Sequence, residues 1–134
     1  MKNVLVDSNV ILDIVTGDKR WFGWSSSKLQ KLAEERELVI NPVIYAEVSI
    51  GFGKIEELDE ALPLEHFRRD PIPWEAAFLA GKCFLRYRKS GGARGSPLPD
   101  FFIGAHAAVA GMELLTRDVG RYRGYFPKLP LIAP

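Results

Sequence analysis

The sequence has very little cysteine. Cys83 is the one thiol among its 134 residues, which excludes an internal disulfide and a cysteine-rich zinc site. A single thiol suits a reducing compartment, and we expect Cys83 to be a small core residue. Histidine is scarce too: His106 is expected on the packed face of a helix, and His66 falls in a polar connection with no clear signal. We therefore expect a cytoplasmic protein.

Long apolar runs are missing as well. The beginning of the chain, Lys2 followed by apolar residues, superficially resembles a secretion signal, but Asp7 and Asp13 interrupt it. No small-residue cleavage site follows. No uncharged stretch reaches the roughly 18 residues that a membrane span needs. We expect no membrane segment.

An excess of one charge sign is also lacking. Lys and Arg total 18 and Asp and Glu total 17, so the formal net charge is +1. Bulk charge alone would not hold nucleic acid, and any such site must come from a local arrangement of residues. Hydrophobic residues make up 47% and charged residues 26%, which is typical of a globular protein and excludes disorder for most of the chain. The length predicts a single domain over residues 1–134.

Short apolar runs alternate with helical patterns along this chain. Strands are predicted at residues 4–6, 38–40, 64–67, 113–116 and 131–132, and helices at 10–15, 25–36, 42–50, 55–62, 74–88 and 100–110, with a helical turn after Asp118. Residues 90–97 have the composition of a flexible loop. This alternation predicts an α/β fold, with a central, mostly parallel sheet between two helix layers.

Three aspartates occupy related places in this pattern. Asp7 and Asp118 each follow an apolar strand, and Asp100 opens a helix that leads into the strand before Asp118. Each of them alone is explained well by helix capping. Together they point to one crevice, because ligands of open parallel sheets bind outside the carboxyl ends of the strands.

Glu47 is harder to explain by structure alone. It lies four residues after Val43 and three before Ile50, on the apolar stripe of its helix. It is either an edge residue that reaches solvent or a carboxylate aimed at a cation. Several carboxylates in one place repel each other, and a divalent cation with oxygen ligands, such as Mg²⁺, removes that conflict.

The motifs around these acids resemble those of PIN-domain ribonucleases over essentially the whole chain. They are Asp7-Ser8-Asn9 after the first strand, Glu47 within residues 44–48, Leu98-Pro99-Asp100 at a helix start, and Leu115-Thr116-Arg117-Asp118 after a late strand. The ending from Thr116 to Pro134 is similar to that of VapC toxins of toxin–antitoxin pairs.

The resemblance implies a PIN-like three-layer fold and a metal-dependent endoribonuclease that cleaves RNA as the toxin of such a pair. The family's catalytic and metal-binding acids match Asp7, Glu47, Asp100 and Asp118, which would hold Mg²⁺ or Mn²⁺. Supporting positions match Ser8, Asn9 and Thr116. An antitoxin protein and a second copy of the chain are the implied partners.

Basic and aromatic residues flank the acids. As candidates for holding RNA phosphates we take Arg86, Arg88, Arg94 and Arg117, although solvated surface charge explains most of them equally well. Tyr87, Tyr122 and Tyr125 are either base-stacking residues or core. The aromatic cluster Trp21, Phe22 and Trp24 is either core or an interface anchor, and the resemblance favours a dimer or antitoxin contact.

Other functions remain open at this stage. A PIN-like nuclease for RNA processing, outside any toxin system, has the same acids. A signalling receiver domain also gathers carboxylates and Mg²⁺ at strand ends, but it needs an aspartate after a mid-chain strand, where this chain has Asn41-Pro42. The four intact acids argue against a non-catalytic interaction module.

Overall fold

The computed structural model of the protein describes residues 1–92 and 97–134. Within these residues, five strands form one sheet in the order β3-β2-β1-β4-β5. The elements are β1 (Val4–Val6), α1 (Ser8–Val15), α2 (Phe22–Glu35), β2 (Leu38–Ile40), α3 (Pro42–Ser49), α4 (Ile55–Ala61), β3 (Arg68–Arg69), α5 (Trp74–Lys89), α6 (Leu98–Ala110), β4 (Glu113–Leu115), α7 (Gly120–Tyr125) and β5 (Leu131–Ile132).

All four strand pairings in this sheet are parallel, which confirms the predicted α/β fold. The central strand β1 pairs with β2 on one side and with β4 on the other. All three residues of β1 and of β2 are buried, as expected for parallel strands covered by helices on both faces. The core therefore surrounds β1, and the carboxyl end of β1 opens at the middle of one sheet edge.

The helices are positioned by local signals at their ends. Asn41 caps α3 by accepting a hydrogen bond from the backbone N–H of Ile44 (2.9 Å), and Pro42 follows at the first helical position. Gly111, at φ 68°, ends α6 in the left-handed conformation that glycine adopts without strain. Two helix pairs, α1 with α2 and α5 with α6, pack against each other beside the sheet.

The predicted strand at residues 64–67 is wrong. The carbonyl of Pro63 accepts hydrogen bonds from the backbone N–H groups of His66 and Phe67 (both 3.0 Å), which makes this segment a turn. The strand is formed instead by Arg68 and Arg69, which pair with Val39 and Ile40 of β2.

The other elements lie close to their predicted places. Helix α2 begins three residues earlier than predicted, at Phe22, and α6 begins at Leu98, so Asp100 lies inside the first helical turn and does not cap it. Cys83 is buried in the core, as expected. None of the helices described is long and apolar enough to cross a membrane.

Candidate functional site

The candidate site lies at the sheet edge where β1 and β4 end. The register pairs Val6 with Leu115, so Asp7 and Thr116 leave the two strands side by side. The backbone N–H of Asp7 donates to the carbonyl of Leu115 (2.9 Å), which fixes the start of α1 against the end of β4. The strand pattern of the sequence thus places two of the predicted site residues in contact.

Asp7 is the centre of a hydrogen-bond network. Its side chain is 3% exposed, and Oδ2 accepts from Thr116 Oγ1 (2.8 Å), Tyr122 OH (3.0 Å) and Asn9 Nδ2 (3.4 Å). Its other oxygen, Oδ1, accepts from the backbone N–H of Ser8 (2.8 Å). The predicted supporting residues Ser8, Asn9 and Thr116 therefore all bond to this carboxylate.

Burial raises the pKa of Asp7 to about 6. The hydrogen bonds from Thr116 and Tyr122 act in the opposite direction because they stabilise the charged form, and the negative charges of Asp100 and Glu47 raise the pKa further. These mutual effects mean that the three carboxylates lie near enough to repel one another.

Glu47 comes to the site from α3 and is partly buried. Ser8 Oγ donates to Glu47 Oε1 (2.8 Å), which links α3 to the first residue of α1. Burial raises the pKa of Glu47, the bond from Ser8 opposes that rise, and the charge of Asp100 adds to it. Glu47 is therefore not a freely solvated edge residue, and its role as a carboxylate aimed at a cation stays a prediction.

Asp100, on the first turn of α6, completes the inner part of the cluster. Its Oδ2 accepts a hydrogen bond from Arg121 Nη1 (3.0 Å), an ion pair in which both side chains are about one-third exposed, at 29% and 32%. Burial raises the pKa of Asp100, the bond and charge of Arg121 lower it, and the charge of Asp118 raises it.

Asp118 lies at the outer side of this cluster and is exposed. Its backbone N–H donates to Thr116 Oγ1 (3.0 Å), the same hydroxyl that bonds to Asp7. Ser8 thus links Asp7 to Glu47, and Thr116 links Asp7 to the backbone of Asp118, while Asp100 is related to Asp7 and Glu47 through the effect of its charge on their pKa values. We refer to Asp7, Glu47, Asp100 and Asp118 as the acidic cluster.

The predicted phosphate-binding arginines have different surroundings. Arg117 forms a bidentate ion pair with the buried Asp13, through Nε (2.6 Å) and Nη2 (2.9 Å). Arg86 donates to the carbonyl of Gly124 (2.9 Å), and Arg88 is exposed. Arg94 lies outside the described residues. Arg88 is thus the one whose side chain faces solvent without a described bond, while Arg117 is engaged inside the protein.

Two residues of α7 reach the acidic cluster, and the sequence analysis did not assign them that place. Arg121 binds Asp100, and Tyr122, considered above for base stacking, is 1% exposed and donates to Asp7. A buried tyrosine offers no face to a base, so stacking on Tyr122 is excluded. The sequence signal for both contacts was that Arg121 and Tyr122 follow Asp118 by no more than four residues. Residues so close to Asp118 are expected to lie near the same edge of the sheet.

The donor set of the cluster fits a divalent cation of the Mg²⁺ or Mn²⁺ type, since it consists of carboxylate oxygens whose mutual repulsion a cation would relieve. The described part of the chain contains no group of three acidic, histidine or cysteine side chains already arranged as a metal cage. The Asp7 and Asp100 oxygens are instead engaged by the hydroxyl of Tyr122 and the guanidinium of Arg121. Each carboxylate has further lone pairs, so these bonds compete with a cation without excluding it.

Solved structures similar to this chain have the same fold. VapBC2 from Rickettsia felis bound to a DNA fragment from their promoter has a TM-score of 0.74 and 18% identity, with 98% of each chain covered. VapBC-1 from nontypeable Haemophilus influenzae has a TM-score of 0.71 and 21% identity, with 97% of this chain and 96% of that chain covered. A toxin–antitoxin complex from Klebsiella pneumoniae has a TM-score of 0.70 and 22% identity, with the same coverage. Among curated proteins, no sequence matches the chain.

The family comparison covers most of the chain. The PIN domain family matches residues 4–126, a range that runs from the first residue of β1 to the end of α7 and includes all four acids of the cluster. Membership of this family implies a nuclease. The chain belongs to the PIN domain family.

Proposed function

We propose that the protein is a metal-dependent endoribonuclease and the toxin of a toxin–antitoxin pair, built as one nuclease domain over residues 1–134. The observation that carries the proposal is the acidic cluster at the carboxyl end of β1. Its central member, Asp7, has a pKa raised to about 6 by burial and by the charges of Asp100 and Glu47. Repulsion of this kind is expected where carboxylates are gathered for a cation.

In this proposal the acidic cluster holds Mg²⁺ or Mn²⁺, with Asp7, Glu47, Asp100 and Asp118 as the ligand candidates. A bound divalent cation supplies a water of lowered pKa and positive charge for the phosphate oxygens. The chain's own residues do the positioning: Thr116 and Asn9 orient the Asp7 carboxylate, and Ser8 orients Glu47.

The substrate has to approach an acidic surface, so cationic side chains are needed around the mouth of the site. Arg86 and Arg88, in the last turn of α5, remain candidates for RNA phosphates, as does Arg94, which lies outside the described residues. Arg117 is a weaker candidate because its Nε and Nη2 atoms both donate to Asp13. Arg121 already forms an ion pair with Asp100 of the cluster.

The test is cleavage of single-stranded RNA by purified protein in Mg²⁺ or Mn²⁺, with EDTA as the metal-free control. We expect Asp100→Asn to abolish cleavage, because it removes one ligand charge. Glu56→Gln is the matched control, since Glu56 is an exposed carboxylate in the first turn of α4, away from the cluster. Equal cleavage by the parent and Asp100→Asn, or cleavage that persists in EDTA, would refute the metal site.

The toxin role rests on the similarity to VapBC and toxin–antitoxin structures, and it predicts an antitoxin partner and a homodimer. Induced expression in a bacterial host is expected to arrest growth, and Asp100→Asn is expected not to. Co-expression with a small protein encoded beside the toxin gene should relieve the arrest. A parent that cleaves RNA without arresting growth would favour the second candidate, a PIN-like RNA-processing nuclease. We place either activity in the cytoplasm, where Cys83 stays reduced.

A further inference from the structure

A buried pair of polar side chains lies between the start of α3 and the middle of α6. Asn41 is 2% exposed and His106 is 1% exposed, and Asn41 Nδ2 lies 3.0 Å from His106 Nδ1. Polar groups are expensive to bury unless they are hydrogen-bonded, so a specific bond here has structural weight. The proposed nuclease mechanism assigns no role to either residue.

The chemistry of this bond is fixed by its neighbour. Asn41 Oδ1 accepts from the backbone N–H of Ile44 (2.9 Å), which leaves Nδ2 to face the histidine. Because Nδ2 is a donor, His106 Nδ1 must be the acceptor, and the neutral ring carries its proton on Nε2. Burial lowers the pKa of His106, which agrees with a neutral ring.

The two residues belong to the two helices that carry inward acids. Asn41 caps α3, which holds Glu47, and His106 lies on α6, which begins with Asp100 in its first turn. Helices α3 and α6 pack against each other. Among the side-chain hydrogen bonds of the described residues, the pair Asn41–His106 is the one that joins the start of α3 to α6.

We propose that His106 is a positioning residue: its acceptor nitrogen holds Asn41 and thereby sets the spacing of α3 and α6, and so of the Glu47 and Asp100 carboxylates. This inference rests on the proposed metal site. Since a cation binds carboxylates only at defined separations, loosening this bond weakens cation binding even though neither residue touches the cation. Partners that bond directly to metal ligands typically account for roughly 10–100-fold in affinity. A link one step further away is expected to account for about threefold to tenfold.

The experiment measures Mn²⁺ affinity directly, by titration followed with electron paramagnetic resonance, well below the unfolding temperature of every variant. Asn41→Ser keeps a helix-capping oxygen on α3 but has no amide to reach His106. His106→Leu removes the acceptor, whereas His106→Asn places a carbonyl oxygen where Nδ1 was. Gly17→Ala is the stability control, because Gly17 has φ 63° just after α1, a conformation that is strained for any residue with a side chain.

Asn41→Ser and His106→Leu are expected to bind Mn²⁺ about threefold to tenfold more weakly than the parent, and His106→Asn to recover most of that loss. Gly17→Ala should lower the unfolding temperature and leave the affinity unchanged. The inference is overturned if Asn41→Ser and His106→Leu bind Mn²⁺ as tightly as the parent, or if His106→Asn recovers none of the lost affinity. In that case the proposed function still stands, provided that the parent binds Mn²⁺ and cleaves RNA. A parent that binds no Mn²⁺ overturns both.

Discussion

Arg117 offers a sharp test of how the site is built, because sequence and structure assign it different roles. Its sequence position between Thr116 and Asp118 predicts a substrate contact. In the structure its guanidinium donates two hydrogen bonds, of 2.6 and 2.9 Å, to the carboxylate of Asp13, whose side chain is 3% exposed. Ser25 Oγ also donates to this carboxylate (2.7 Å). We therefore expect Arg117→Met to damage folding more than substrate binding.

The magnitude follows from the charge that the substitution leaves behind. Removing one partner of a buried ion pair typically costs about 3–5 kcal/mol, since the other charge stays buried without compensation. Arg117 itself is 27% exposed, so water can partly replace it. The lower end, about 3 kcal/mol, is therefore expected. With a urea slope of about 1.5 kcal/mol per M, the unfolding midpoint should fall by about 2 M.

The assay is urea unfolding followed by circular dichroism, together with RNA cleavage in Mn²⁺ under conditions where each variant is folded. Arg123→Met is the matched control, because Arg123 is an exposed arginine on α7. The double variant with Asp13→Asn should regain part of the lost stability, since the buried charge is gone. If Arg117→Met unfolds at the parent's midpoint while cleavage falls more than about tenfold, then the arginine serves the substrate and our reasoning is wrong.

Three further outcomes follow from the same contacts. Because burial raises the pKa of Asp7 to about 6, the contribution of Asp7 to the free energy of unfolding falls as the pH rises from about 4 to above 6. In EDTA, Asp7→Asn should therefore be up to about 3 kcal/mol more stable than the parent at pH 7.5, and the gap should close near pH 4. A less stable variant at pH 7.5 would contradict this. Arg121→Gln should tighten Mn²⁺ binding about two- to fivefold, because the guanidinium competes for Asp100; weaker binding would instead make Arg121 a support of the site. Gly104→Ala should cost about 1–3 kcal/mol in thermal unfolding, since a Cβ there would lie 2.4 Å from the Phe126 ring; an unchanged midpoint would mean that the ring moves freely.

The sequence predicted the position of Asp7 at the end of β1, because short buried strands have a strong pattern. Val4–Val6 is entirely apolar and stops at a polar residue, so Asp7 had to emerge at the sheet edge. Glu47 was identified by its place on an apolar helical stripe. Both signals are local, and local periodicity is what a single sequence expresses most clearly.

What the sequence did not predict has the opposite origin. Strand β3 consists of Arg68 and Arg69, which pair through their backbones while their side chains carry no apolar signal, so the apolar run just before them was chosen instead. The role of Arg117 depends on Asp13, 104 residues earlier in the chain, and no local pattern indicates that pairing.

The central claim, that the acidic cluster is a cation site, is tested most directly by a crystal structure with Mn²⁺ and its anomalous signal. We expect one or more Mn²⁺ ions among Asp7, Glu47, Asp100 and Asp118, with Arg121 released from Asp100. Mn²⁺ bound elsewhere, or no Mn²⁺ at the cluster at saturating concentration, would contradict the account.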